Sequence, residues 1–188
     1  MELAHLPTLT RLTLRLPPGT RSETLREGAA AFMESALALQ GVQLLAAHIR
    51  LLAERDPHER LYEACLTMLP NLQDCRLAGG MMLGFELALL DELGLGLDLS
   101  ACALTGAVEG LAYVSPRTGR AVTQAAGAPW AGRLLRVPRC LFTGEAPGWS
   151  DLVDGFALTG HFIERQFFTD RRADALAARA MLIDRVRR

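Results

Sequence analysis

Cysteine and histidine are the residue types that could bind a metal or activate a nucleophile, and their spacing in this chain favours neither role. The four cysteines, Cys65, Cys75, Cys102 and Cys140, are widely separated, whereas structural zinc is bound by closely spaced Cys or His ligands. No histidine stands beside Cys102 in the sequence to activate its thiol. We therefore predict free thiols in a reducing cytoplasm, Cys102 as a small buried residue, no metal, no cofactor and no enzymatic activity.

Arginine provides every basic side chain, since the sequence contains no lysine, and the charges are unevenly distributed. Residues 1–114 contain eight Arg and fourteen acids, whereas residues 115–188 contain twelve Arg and seven acids. Residues 110–144, here named the arginine segment, contain no Asp or Glu. Its five basic residues are Arg117, Arg120, Arg133, Arg136 and Arg139. A local surplus of this kind predicts a basic surface that the overall net charge of −1 conceals.

Two interpretations of the arginine segment stay open. Guanidinium groups bind phosphate well, so the segment could contact a DNA backbone. Alternatively its arginines are solvated and pair with acids that are near in sequence, such as Asp91, Glu92 and Asp98. Arg117 and Arg120 flank a loop tip and are expected to be the most exposed.

The arginine segment also includes a predicted β-hairpin. Residues 94–144 are rich in Gly, Pro and Thr, and the strand-like pieces 111–114 and 120–123 flank a longer loop. Tyr113 and Trp130 could stack on nucleic-acid bases. We favour the interpretation that they pack the hairpin onto helices with their polar tips outward.

The remaining sequence predicts mostly helix. Residues 8–16 alternate apolar and polar side chains, as in a half-buried strand. Two helices should follow between residues 22 and 55, with a mild interruption at Gly41. A third helix is expected to begin with Asp56 as its N-cap and to end at Pro70.

Three more features complete the pattern. A fourth helix should run from about residue 73 to 93, with Gly94 as the C′ residue that ends it. One apolar stripe of this helix comprises Met82, Phe85, Leu89 and Leu93. Helical spacing resumes after Pro147 and again over about 172–186. His161 lies on an apolar helix face, where we expect a hydrogen-bonded core or edge histidine and not a ligand.

Residues 85–138 resemble the bacterial DNA repair protein family RecO. The resemblance is carried by L-D-L-S-A-C, then Y-V-S-P-R-T-G-R-A-V, then A-G-A-P-W, and by L-T-G-H-F-I-E-R-Q-F at 158–167. It covers roughly residues 56–168. RecO-like proteins are non-enzymatic recombination mediators that bind and anneal DNA. They work with RecR and RecF to load RecA onto strands coated by single-strand-binding protein.

The resemblance implies a fold and a domain organisation. Members of the family join an N-terminal OB barrel to a helical domain with a small zinc-type module. We expect a mostly α fold here, a helical bundle with a small β-hairpin insertion. Residues 21–188 would form the helical C-terminal domain, with the insertion at 94–144. Residues 1–20 would be a vestigial OB-fold strand and linker, because the rest of the barrel is truncated or missing.

The family's zinc positions are implied by alignment on the hairpin. They fall at Cys102, Thr105, Thr123 and Ala126. One thiolate among four positions cannot hold zinc. We therefore predict a metal-free knuckle held by packing and by turns at three glycines, Gly106, Gly119 and Gly127.

The predicted function is that of a cytoplasmic, nucleoid-associated mediator of DNA repair and recombination. It would bind single- or double-stranded DNA through the five arginines of the arginine segment. Its protein partners would be RecR and the C-terminal tail of single-strand-binding protein, with no membrane contact. The alternative is a protein-interaction module without DNA binding, because the OB barrel is missing. A thiol- or acid-dependent enzyme is disfavoured, since the sequence offers no constellation of catalytic groups.

Overall fold

In a computed structural model the chain is described over residues 35–53, 56–166, 177 and 179–184. The predicted strand at 8–16 lies outside these residues. Two compact units divide the chain, Met1–Ala78 with Thr169–Arg188, and Gly79–Phe168. Within the described ranges, no helix is long and apolar enough to cross a membrane.

Helix α1 of the first unit spans Ala36–Ile49 and begins at a well-formed cap. The Ser35 side chain accepts a hydrogen bond of 3.2 Å from the Ala38 N–H, which satisfies one of the free amides at the helix start. The predicted interruption at Gly41 and the extension to about residue 55 are both wrong. The helix runs unbroken through Gly41, where the side chain of Leu72 packs so closely that a Cβ would lie 2.8 Å from Leu72 Cδ2.

Helix α2 spans Glu59–Met68 and starts later than predicted. Asp56 is not its N-cap, because the first helical hydrogen bond joins the Tyr62 N–H to the His58 carbonyl at 3.0 Å. Three residues on the apolar face of this helix are buried, namely Leu61, Cys65 and Met68. A 3₁₀ turn with Pro70 at its start follows at Leu69–Asn71.

Helix α3 spans Cys75–Glu92, close to the predicted range. Gly94 adopts a φ of +73° just after it, as expected for a C′ glycine. The division between the two units falls inside this helix, between Ala78 and Gly79. The predicted apolar stripe is buried at Met82, Phe85 and Leu89.

The second unit contains a small sheet inserted between helices. Strands β1 (Leu111–Val114) and β2 (Ala121–Thr123) form the predicted hairpin. A third strand, β3 (Leu135–Arg136), pairs antiparallel with β1, so the strand order is β2-β1-β3. The sequence did not predict β3. Between β2 and β3 lie helix α4 (Gln124–Gly127) and a 3₁₀ helix at Ala128–Arg133.

Two helices complete the second unit, α5 (Cys140–Thr143) and α6 (Trp149–Gln166). Helix α6 approaches α3 closely at Gly155, where a Cβ would lie 2.5 Å from Leu83 Cδ2. One turn later the buried Thr159 hydroxyl hydrogen-bonds to the buried Glu86 carboxylate. The fold is thus mostly helical with a small antiparallel sheet, as predicted.

Candidate nucleic-acid interface

The sheet determines where the arginine segment presents its basic residues. In the antiparallel register Val114, at the end of β1, lies beside Leu135, at the start of β3. The turn with Arg117 and Arg120 follows β1, and Arg133 immediately precedes the chain that enters β3. The turn with Arg117 and Arg120 and the residues that precede β3 therefore lie at the same end of the sheet.

Four of the five arginines are exposed. Arg117, Arg133, Arg136 and Arg139 are exposed and form no ion pair with any residue in the described part of the chain. Arg139 stands apart from the sheet, because its backbone N–H donates a 2.7 Å hydrogen bond to Asp151 Oδ1 near the start of α6. Its side chain stays in solvent.

Arg120 has an acidic neighbour. Its Nε lies 3.3 Å from Asp98 Oδ2, and both side chains are about half exposed. Hydrogen bonds from the Ser100 hydroxyl and amide, together with Arg120, lower the pKa of Asp98, so this acid stays ionised. For Arg120 the structure thus shows the pairing with a nearby acid that the sequence left open.

The two aromatic residues of the arginine segment have opposite environments. Tyr113 is 3% exposed, as predicted for a packing role, and the Arg136 guanidinium carbon lies 6.0 Å from the centre of its ring. Trp130 is 55% exposed, so the prediction that it packs the hairpin onto helices is wrong. The 3₁₀ helix that includes Trp130 has no buried residue, and the indole of Trp130 faces solvent.

The turn of the hairpin is tied to helix α6. His161 Nε2 lies 3.0 Å from the carbonyl oxygen of Pro116, and Arg165 Nη1 donates to the same oxygen. This confirms His161 as a hydrogen-bonded histidine at the edge of the core. These contacts join residues 45 and 49 positions apart, so no local sequence pattern could predict them. They fix the loop that presents Arg117.

The structure brings together the positions aligned with a zinc knuckle. Cys102 is buried, and its Sγ accepts a hydrogen bond from the Thr123 N–H at 3.4 Å and lies 3.7 Å from Thr123 Oγ1. The Thr105 hydroxyl also hydrogen-bonds to this sulfur. Thr123 Oγ1 accepts from the Ala126 N–H at 3.3 Å, which caps helix α4. Thr123 thus links the Cys102 sulfur to Ala126, which packs against the apolar cluster that includes Cys102.

These residues do not fit the zinc that the resemblance implies. Only Cys102 offers a thiolate, two positions offer hydroxyls, and Ala126 offers no ligand atom, whereas structural zinc takes four sulfur or nitrogen ligands. In the described ranges no three Cys, His, Asp or Glu side chains are grouped closely enough to hold a metal ion. Packing is tight, since a Cβ at Gly127 would lie 2.6 Å from Tyr113 Cδ2.

The cysteine thiols differ strongly in their acidity. The hydrogen bond from the Thr105 hydroxyl, with others from backbone amides including that of Thr123, lowers the pKa of Cys102 to about 6. Burial in the first unit raises the pKa of Cys65 to about 12. Loss of solvent and the nearby Asp151 charge raise the pKa of Cys140. Cys102 is therefore the thiol that the fold favours in its ionised form.

This acidity predicts a pH-dependent contribution of Cys102 to stability. Between its folded pKa of about 6 and an ordinary value of 9.0, the unfolded chain binds the proton and the folded chain does not. The contribution therefore grows as pH rises through this window and is lost as pH falls through about 6. Urea midpoints of the wild type and Cys102→Ser should diverge between those pH values. A Cys65→Ala control should show a constant difference over the acid half of the window, and a constant difference for Cys102→Ser would contradict the prediction.

Comparison with known proteins identifies the family. The family described as "Recombination protein O C terminal" matches residues 37–173, a range that includes all of α1 except its first residue, the knuckle and α6. The chain belongs to the RecO family. The resemblance predicted from residues 85–138 is thereby confirmed.

Curated relatives are similar in sequence to most of this chain. A DNA repair protein RecO from Chelativorans is 48% identical over 88% of this chain and 68% of its own length. The RecO protein of Rhizobium rhizogenes is 48% identical over 85% of this chain and 62% of its own length. That of Mesorhizobium japonicum is 45% identical over 89% and 67%. This chain thus spans about two thirds of the length of these RecO relatives. No solved structure matches it.

Proposed function

We propose that this chain is a non-enzymatic mediator of recombination in DNA repair. It binds DNA through the arginine segment and holds RecR and the C-terminal tail of single-strand-binding protein, so that RecA can be loaded. The repair role is supported by the names of its relatives, which are DNA repair proteins. The observation that supports DNA contact most directly is a run of 35 residues, 110–144, with exposed arginines and no acid.

The exposed indole of Trp130 favours single-stranded DNA as the substrate. Three positions separate Trp130 from the exposed Arg133 in one 3₁₀ helix. Proteins that bind single strands combine a basic surface with aromatic side chains on which unpaired bases stack. Bases inside a duplex are already stacked on one another, so an exposed indole gains less there. The proposed contacts are therefore backbone phosphates on arginine and a base on Trp130.

The partner contact is supported by exposed apolar groups elsewhere in the second unit. Phe142 is 47% exposed and Trp149 is 41% exposed. Arg139 is the N-cap residue of the short helix that includes Phe142. An acidic, apolar tail is recognised by apolar contacts with a cation nearby, and this part of the chain offers both.

Two tryptophan variants test the DNA contact and the partner contact separately. Trp130→Ala should weaken binding of a labelled single-stranded oligonucleotide by about 1–3 kcal/mol, roughly 5- to 150-fold, because one base loses its stacking surface. Trp149→Ala, the matched control, should leave oligonucleotide binding unchanged and weaken binding of a peptide with the tail sequence. Fluorescence anisotropy at low salt measures both.

The alternative function is a protein-interaction module without DNA affinity. It would be favoured if the wild-type chain bound the tail peptide or RecR but no oligonucleotide at low salt. Binding of neither ligand would overturn the proposal as a whole. Equal losses of DNA binding in the two tryptophan variants would overturn the assignment of Trp130.

A further inference from the structure

The knuckle keeps the layout of a four-ligand metal site although its chemistry has changed. Its positions form two pairs with the same two-residue spacing, Cys102 with Thr105 and Thr123 with Ala126. The contact between Cys102 and Thr123 joins residues 21 positions apart. Thr123 is the N-cap residue of helix α4, so the second pair lies at the start of this helix.

We propose that hydrogen bonds to the Cys102 sulfur replace the metal ion, and that Cys102, Thr105 and Thr123 form a metal-independent lock that holds the knuckle closed. This inference does not depend on the proposed DNA or partner binding. It concerns how the hairpin of the second unit keeps its shape.

Geometry supports the lock at Cys102 and Thr123. Cys102 is 2% exposed, so its side chain is largely shielded from water. The Thr123 N–H donates to the sulfur at 3.4 Å, and a hydrogen bond from the Thr105 hydroxyl is the largest cause of the lowered pKa of Cys102. Thr123 also connects the sulfur to the fourth position, because its Oγ1 accepts a hydrogen bond from the Ala126 N–H. A zinc ion would link the same four positions through one centre.

Backbone hydrogen bonds show which segments the lock joins. The Cys102 N–H donates to the Ala107 carbonyl and the Gly106 N–H donates to the Cys102 carbonyl, each at 2.8 Å, which closes the loop around the first pair. The Ala103 N–H donates to the Ala121 carbonyl at 2.8 Å and ties this loop to β2. Apolar packing of Cys102, Tyr113 and Val122 lies beneath it. The lock therefore fastens the loop to the hairpin where an ion would have done so.

The first test removes hydroxyls without changing side-chain size. Thr123→Val and Thr105→Val should each lower the urea midpoint and speed amide exchange in β1 and β2 more than in α1. Thr123→Ser, which keeps the hydroxyl, should restore most of the protection, and Thr67→Val, at an exposed threonine of α2, should change neither quantity. Unchanged protection in both knuckle variants would overturn the lock.

The second test asks whether the wild type depends on metal and whether the site can regain it. The purified wild type should contain no stoichiometric zinc, and a chelator should not shift its melting temperature. The triple variant Thr105→Cys, Thr123→Cys, Ala126→Cys should bind Co²⁺ with strong thiolate-to-metal absorption, and Zn²⁺ should raise its melting temperature.

Each outcome of the second test is informative. Stoichiometric zinc in the wild type, or melting at a lower temperature with chelator, would overturn the proposal. A folded triple variant without Co²⁺ absorption would show that the four positions do not converge, which also overturns it. If the triple variant folds only with metal, the Co²⁺ absorption of the metal-bound form still shows whether the four positions converge. Neither test requires DNA binding.

Discussion

Replacing Arg117, Arg133, Arg136 and Arg139 by glutamine is expected to remove most of the salt dependence of single-stranded DNA binding. Each phosphate contact contributes about −0.7 to the slope of log affinity against log salt, so four contacts give a slope of about −3. The wild type should then lose roughly fifty-fold in affinity between about 50 and 200 mM salt. The quadruple variant should bind weakly at low salt and change little over this range.

The fifth arginine provides an internal comparison. Because Arg120 is paired with Asp98 at 3.3 Å, Arg120→Gln should lower the slope less than Arg117→Gln does. The matched control replaces Arg50 and Arg60, two exposed arginines outside the arginine segment, and should leave the slope unchanged. If the slope fell as much in this control as in the arginine-segment variants, binding would depend on net charge alone. If the slope were unchanged in the quadruple variant, the arginine segment would not be part of the DNA interface.

Phe156→Ala is expected to cause a large loss of stability. Phe156 is 2% exposed on α6, and truncating a buried phenylalanine destabilises a protein by about 3–5 kcal/mol because a cavity remains. Whole domains are stable by only about 5–15 kcal/mol. The variant should therefore unfold at a much lower urea concentration, as measured by circular dichroism.

Phe142→Ala is the matched control for this substitution. The same atoms are removed, but Phe142 is 47% exposed on α5, so the change in unfolding free energy should stay near 0.5 kcal/mol. Similar losses in both variants would show that α5 contributes to the core as much as α6 does. A loss of about 0.5 kcal/mol in both variants would instead contradict the burial of Phe156.

Local sequence patterns determined helix α3 and the hairpin. The apolar stripe of α3, the glycine at position 94 and the strands on either side of the turn were predicted close to their observed positions. Each of these depends on side-chain periodicity or on the backbone freedom of one residue, and both are properties of neighbours in sequence. The RecO resemblance was equally readable, because it is a long ordered string of residues.

Tertiary structure alone decided the details of the candidate site. A strand of two residues, Leu135–Arg136, has no periodicity to read, and it exists because β1 offers an open edge. The exposure of Trp130 and the pairing of Arg120 with Asp98, 22 positions away, depend on how the chain returns on itself. The same is true of the Cys102 sulfur. The sequence shows where this cysteine stands, but one of its hydrogen-bond donors, the Thr123 N–H, belongs to strand β2, 21 positions away, and only folding brings it within reach.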